Sequence, residues 1–254
     1  MKRQLILVLL CIVALTPLFA QSQQTIHIMV ALCDNQYQGI VKVPKGIGNG
    51  QDPNSNLYWG CGYGIRTFFK KSADWKELKR YKVDEFVLER IVFKHKTKNY
   101  YLVADAYDGR YISDCTIDFL NACCGAEKDT VVVNDITLGL KGDAKLLAYI
   151  GHNGLMDFKL ANSFQNKDNK KRDAIILACA SKPYFAPYLK SAETTPLLWT
   201  THLMCPEAYT LHDALATYIN GGTNEAVRTS AAEAYNRYQK CGIKGARNLL
   251  VTGF

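Results

Sequence analysis

The stretch that decides the fold is Lys145-Leu146-Leu147-Ala148-Tyr149-Ile150-Gly151-His152-Asn153-Gly154, a polar spacer over 162–173, then Ala174-Ile175-Ile176-Leu177-Ala178-Cys179-Ala180-Ser181. Each apolar run is short, almost wholly apolar and closed by breakers, the pattern of a strand buried on both faces. Two such strands lying parallel end on the same edge of a sheet, where open α/β folds bind ligands. That places the His152 imidazole and the Cys179 thiol at one crevice. An imidazole beside a thiol raises the thiolate fraction and can protonate a leaving amine.

The order of these two half-motifs resembles the caspase-hemoglobinase class of cysteine peptidases, which includes caspases, legumains, gingipains and the CHAT domains. In that class a His ends one strand and a Cys ends the next, as Tyr149-Ile150-Gly151-His152 and Leu177-Ala178-Cys179 do here. This chain departs from the class in placing Asn153 between His152 and Gly154, and its spacer is short. The region after Cys179 is similar to CHAT-like members: a helix, an apolar strand around Leu197-Leu198-Trp199, then two helices joined at Gly221-Gly222, the second Ala-rich. The resemblance implies a three-layer α/β sandwich with a mostly parallel central sheet and caspase-like topology. It also implies a cysteine endopeptidase with Cys179 as nucleophile, His152 as general acid–base, and backbone N–H groups of Cys179 and of Asn153 or Gly154 facing the oxyanion. Because the class selects charged or amide side chains, Asp34 and Asp157 are candidates for receiving a basic substrate residue.

Two other readings compete. Cys179 at the end of a buried strand is also what a small inert core residue looks like, which makes a non-catalytic binding or surface-interaction domain the alternative. The sequence Trp59-Gly60-Cys61-Gly62-Tyr63-Gly64 before a helix resembles the nucleophile of papain-like enzymes, whose thiol gains from a helix N-terminus. Otherwise Cys61 is disulfide-bonded or lines the substrate cleft. His202, Cys205 and His212 supply nitrogen and sulfur ligands but lack a fourth partner for tetrahedral zinc, and Gly46-Ile47-Gly48-Asn49-Gly50 lacks the Lys-Ser/Thr of a phosphate loop. No metal and no cofactor are expected.

The chain has 254 residues, 48% of them hydrophobic, enough for one substantial core. Lys2-Arg3, an apolar run over 5–14, Pro17 and Ala20 read as a signal peptide over 1–20, leaving a single domain over 21–254 that is secreted or periplasmic. No later run reaches the roughly 20 apolar residues of a membrane span, so no stable membrane insertion is expected once the signal is removed. Losing Lys2 and Arg3 lowers the formal charge from +8 to +6. The clearest basic cluster, Lys167, Lys170, Lys171 and Arg172, has no aromatic residues interleaved to stack on bases. The expected partner is a peptide or protein substrate, not nucleic acid; the spacer 161–173, with Lys170-Lys171-Arg172, is a candidate for self-cleavage. Of nine cysteines, Cys11 lies in the signal and eight remain. Export permits disulfides, and a free Cys179 would leave at least one other thiol unpaired.

Along the rest of the chain the pattern predicts a first strand over 25–32 and a glycine-rich loop over 39–56. A helix follows, with Ile65, Phe68, Phe69 and Trp75 near its apolar face, and then strands over 83–93 and 100–106. Ser113 or Asp114 caps a short helix. Pro206 opens a later one at its first position, and Thr223 or Asn224 caps the last.

Overall fold

The computed structural model describes residues 23–254; the expected signal peptide lies outside the described residues. The chain forms β1 (Gln24–Ala31), α1 (Ile65–Lys71), β2 (Trp75–Tyr81), β3 (Val87–His95), β4 (Tyr100–Tyr107), α2 (Ile112–Cys123), β5 (Lys128–Val133), β6 (Ile136–Lys141) and β7 (Leu146–Ile150). It continues through β8 (Asp173–Leu177), α3 (Ser181–Ser191), β9 (Thr195–Thr200), α4 (Ala208–Ile219), α5 (Asn224–Gln239), α6 (Ile243–Leu249) and β10 (Leu250–Val251). Eight strands make one sheet in the order β10-β9-β8-β7-β1-β4-β3-β2. The five strands from β9 to β4 are parallel, while β10, β3 and β2 pair antiparallel at the edges.

Both faces of the sheet are covered, and alternation along each strand sorts the side chains. Ile26, Ile28 and Val30 of β1 share one core with Leu146, Ala148, Ile175 and Leu177, against α1, α4, α5 and α6. Met29 and Ala31 point to the other face with Leu147, Tyr149, Ala174 and Ile176, against α2 and α3. The period of two and the enclosure of both faces account for the nearly continuous apolar runs. The result is an α/β fold of helix, sheet and helix layers, as expected.

Several local expectations change. Trp75 is not on the helix; α1 stops at Lys71 and Trp75 opens β2, where it stacks edge-on against His95 at 5.0 Å. The apolar run 130–133 lies outside the eight-stranded sheet. It belongs to β5, which pairs with β6 in a separate hairpin whose Val131, Val133, Leu138 and Leu140 pack on Val92, Tyr101 and Val103. Pro206 lies just ahead of α4, whose N-cap is Glu207. Thr223 does cap α5, its side chain accepting from the Ala226 N–H. All eight described cysteines are free thiols.

β1 is the switch in the winding. From it the chain builds β2 to β4 on one side, then crosses back to add β7, β8 and β9 on the other. In such sheets the loops leaving the carboxyl ends of the strands on either side of the switch diverge and open a crevice. The loops after β1, β7, β8 and β9 all meet there.

Candidate active site

His152 follows β7 by two residues and Cys179 follows β8 by two. Because β7 and β8 are in-register parallel neighbours, with Ile150 opposite Leu177, both side chains arrive at the same edge. They line one pocket with a volume of about 240 Å³, completed by Gly39, Ile40, Val41 and Val43 after β1, Leu57 and Tyr58, and residues 203–206 after β9.

The turn before the imidazole needs its glycine. Gly151 has φ +140°, and a Cβ there would sit 2.6 Å from the carbonyl oxygen of Ala31; an L side chain meets both a disfavoured backbone and a neighbouring strand. Only a backbone without a side chain lets His152 turn into the pocket so close to β1. His152 is 5% exposed. Its Nε2 lies 2.8 Å from Asp157 Oδ2, and the Gly39 N–H donates to the same oxygen at 2.8 Å. The carboxylate accepts the Nε2 proton and sets the tautomer. Nδ1 has no hydrogen-bond partner among the described residues, which leaves it available to the pocket.

The thiol is held by a turn under similar constraint. Ala180, directly after Cys179, is left-handed with φ +45°, a conformation that costs a non-glycine residue roughly 1–2 kcal/mol. The surrounding polar groups hold it there. The Ala180 N–H donates to the carbonyl of His202 at 2.9 Å, the Ser181 N–H to Thr200 Oγ1 at 3.0 Å, and the Thr200 hydroxyl to the carbonyl of Ala178. Ser181 and Thr200 are fully buried, so these bonds form away from competing water. Cys179 Sγ is half-buried and touches the backbone of Met204, 3.4 Å from its N–H and 3.5 Å from its carbonyl oxygen. Asn153, wholly buried, donates from Nδ2 to the Cys179 carbonyl at 2.8 Å and accepts from the Leu155 N–H at 3.1 Å.

Two further thiols stand near. Burial pushes Cys33 up to about 11 and, with the carboxylate of Glu207 adding to it, Cys205 up to about 12. Both stay protonated at neutral pH and are poor nucleophiles. Cys61 lies in the turn ahead of α1, outside the pocket lining. Its thiol donates to the Ser55 carbonyl at 3.1 Å, and burial with the nearby Glu207 raises its pKa. The structure does not bring Cys61 to an imidazole.

Of the other predicted site residues, Asp157 serves His152. Asp34 is spent on its own loop, accepting from the N–H groups of Gln36 and Tyr37 and from Gln51 Nε2. Neither lines the pocket. Asn153 and Gly154 are enclosed behind it, and the Gly154 N–H is directed at the Tyr149 hydroxyl. In the basic stretch, Arg172 is buried, donating to the Gly142 carbonyl and pairing with Asp168, while Lys170 and Lys171 are exposed. His202, Cys205 and His212 form no metal-holding group among the described residues.

Sequence reasoning missed the Asp157 contact to His152, the Asn153 bridge, the Thr200–Ser181 clasp and the apolar wall contributed by the loops after β1 and β9. The spacing of His152 and Asp157 carried a weak signal for the first. The others depend on which loops meet across the sheet edge. Comparison with family models, with curated proteins and with solved structures finds no match to this chain.

Proposed function

We propose that this chain is an exported cysteine endopeptidase of caspase-like topology, with Cys179 as nucleophile and His152 as its proton carrier. One observation carries the reading: an imidazole ordered by a carboxylate and a free thiol line the same pocket at the carboxyl ends of adjacent parallel strands. The succession α3, β9, α4 and α5 after the thiol is the order that the resemblance to CHAT-like proteins implies. The binding-domain reading takes Cys179 as structural or disulfide-bonded, whereas Cys179 is a free thiol that is only partly enclosed.

In this mechanism the Cys179 sulfur, deprotonated by His152, forms a bond to the carbonyl carbon of the scissile peptide, and the C=O π pair moves onto oxygen. The N–H of Cys179 is the candidate donor to that oxyanion, since Asn153 is wholly buried outside the pocket lining and the Gly154 N–H is directed at Tyr149. Collapse breaks the C–N bond as His152 protonates the departing amine. Water, deprotonated by His152, then attacks the thioester, releasing the acid and the Cys179 thiol. Asp157 keeps the imidazole oriented through both proton transfers.

The test is brief alkylation of the folded protein with iodoacetamide followed by peptide mapping, together with turnover of a casein-type substrate by wild type and by Cys179→Ala. Preferential modification of Cys179, and loss of turnover with unchanged thermal unfolding in the variant, are the expected results. Wild-type peptidase activity in Cys179→Ala sinks the reading.

A further inference from the structure

The pocket that Cys179 lines is also lined by Ile40, Val41, Leu57, Met156, Leu203 and Met204, and its lining contains no Asp, Glu, Lys or Arg. Three of these side chains are among the most exposed large apolar groups of the described residues: Val41 at 85%, Leu203 at 67% and Met156 at 42%. They come from three separate loops, after β1, β7 and β9, yet they gather on one rim. Exposing large aliphatic groups together is unfavourable in water, and such gatherings mark sites that another apolar group covers.

We infer that this pocket receives an apolar side chain of the leucine or methionine class, on the acyl side of the scissile bond, so that the substrates are peptides cut after a large aliphatic residue. The inference rests on the peptidase reading and names its substrate class. A side chain seated among Ile40, Met156 and Met204 brings its own carbonyl to the sulfur that lines the same pocket. A volume of about 240 Å³ has room for one large aliphatic or thioether group. A guanidinium or carboxylate placed there would be stripped of water without a counter-charge, which is strongly unfavourable. The two acids that could have received a base are both committed elsewhere, Asp157 to His152 and Gly39, and Asp34 to its own loop. Met156 and Met204 add thioethers that can adapt to linear or branched aliphatic shapes.

Peptidyl acyloxymethyl ketones that differ only in the residue next to the ketone, Leu, Met, Arg, Asp or Asn, test this on the full folded protein. The thiolate forms a bond to the methylene carbon while the acyloxy group leaves as a carboxylate with its electron pair, so each labelling event adds a defined mass at Cys179. The Leu and Met probes should label Cys179 at least about tenfold faster than the Arg, Asp and Asn probes. Leu203→Glu, which places a carboxylate on the rim, should slow the Leu probe and speed the Arg probe. An Arg, Asp or Asn probe that labels as fast as Leu overturns the pocket assignment and leaves the peptidase reading intact. Unchanged rates in Leu203→Glu also overturn it, by locating the side-chain subsite elsewhere. If no probe labels Cys179 while iodoacetamide does, the peptidase reading fails and takes this inference with it.

Discussion

The Asn153 side chain donates to the Cys179 carbonyl at 2.8 Å, tying the loop that carries the imidazole to the turn that carries the thiol. Two strand ends alone leave their loops free to drift. This bond, made by a wholly buried amide, fixes one against the other, because the Asn153 side chain has no access to water in exchange.

Asn153→Leu keeps the bulk and removes the tie. It leaves the Cys179 carbonyl and the Leu155 N–H without their partner, a loss of roughly 1–3 kcal/mol in unfolding free energy. A displacement on the ångström scale between sulfur and imidazole should also lower kcat/KM by about a hundredfold. Urea unfolding and peptide turnover measured on the same preparation separate the two effects. Wild-type kcat/KM in a destabilised variant would confine Asn153 to a structural role.

Asp157→Asn replaces the acceptor of the His152 Nε2 proton with an amide of the same shape. Because Asp157 is only partly buried, the expected drop in kcat/KM is about tenfold or more rather than the full effect of removing a general acid–base group. Thermal unfolding should hardly move. Asp157→Glu, which restores a carboxylate, should recover part of the rate. If Asn and Glu are equally active, the carboxylate does not orient the imidazole.

Gly151→Ala puts a methyl group where φ is +140° and the Ala31 carbonyl oxygen lies 2.6 Å away. A cost of roughly 1–3 kcal/mol is expected for the strain, with loss of turnover as β7 and its loop shift from β1. The thermal midpoint measures the first and peptide cleavage the second. A variant with wild-type stability and activity would show that the turn can reform without its glycine.

Asp105 on β4 sets the acid limit of the fold. Burial alone would raise its pKa, but hydrogen bonds from Arg90 and His27 outweigh that and bring it down to about 2. A carboxyl lowered on folding contributes stability above its unfolded pKa and loses it as pH falls through the folded one. The contribution is therefore full above about pH 4 and fades between about pH 4 and pH 2, and it amounts to roughly 2 kcal/mol. Urea unfolding from pH 6 down to pH 2 should show this decline. Asp105→Asn, leaving the buried Arg90 with only the exposed Asp129 carboxylate at 3.7 Å, should lose about 3 kcal/mol at neutral pH. A flat profile in the wild type would remove Asp105 from the account.

Local pattern predicted what local chemistry controls. The two apolar runs with breakers at Gly151 and Cys179 read as central strands, and Thr223 or Asn224 ahead of the alanines read as the start of a helix. Where the pattern was ambiguous, packing decided. Trp75 fits the periodicity of a preceding helix, yet it opens an edge strand, because its ring is buried against His95 and Phe69. The run 130–133 has the composition of a central strand, but it pairs only with β6 and packs on β3 and β4.

The sequence by itself determined the residues that can do chemistry and the strands that deliver them, since alternation, chain breakers and in-register pairing act over a few residues. Only the tertiary structure decided what surrounds them. It placed Asp157 against His152 and not toward a substrate, left Cys61 away from any imidazole, and gathered Val41, Met156 and Leu203 on one rim. The rim joins Val41 to Met156 and Leu203, more than a hundred residues away, and it exists only once the loops that leave the sheet after β1, β7 and β9 converge on the same edge.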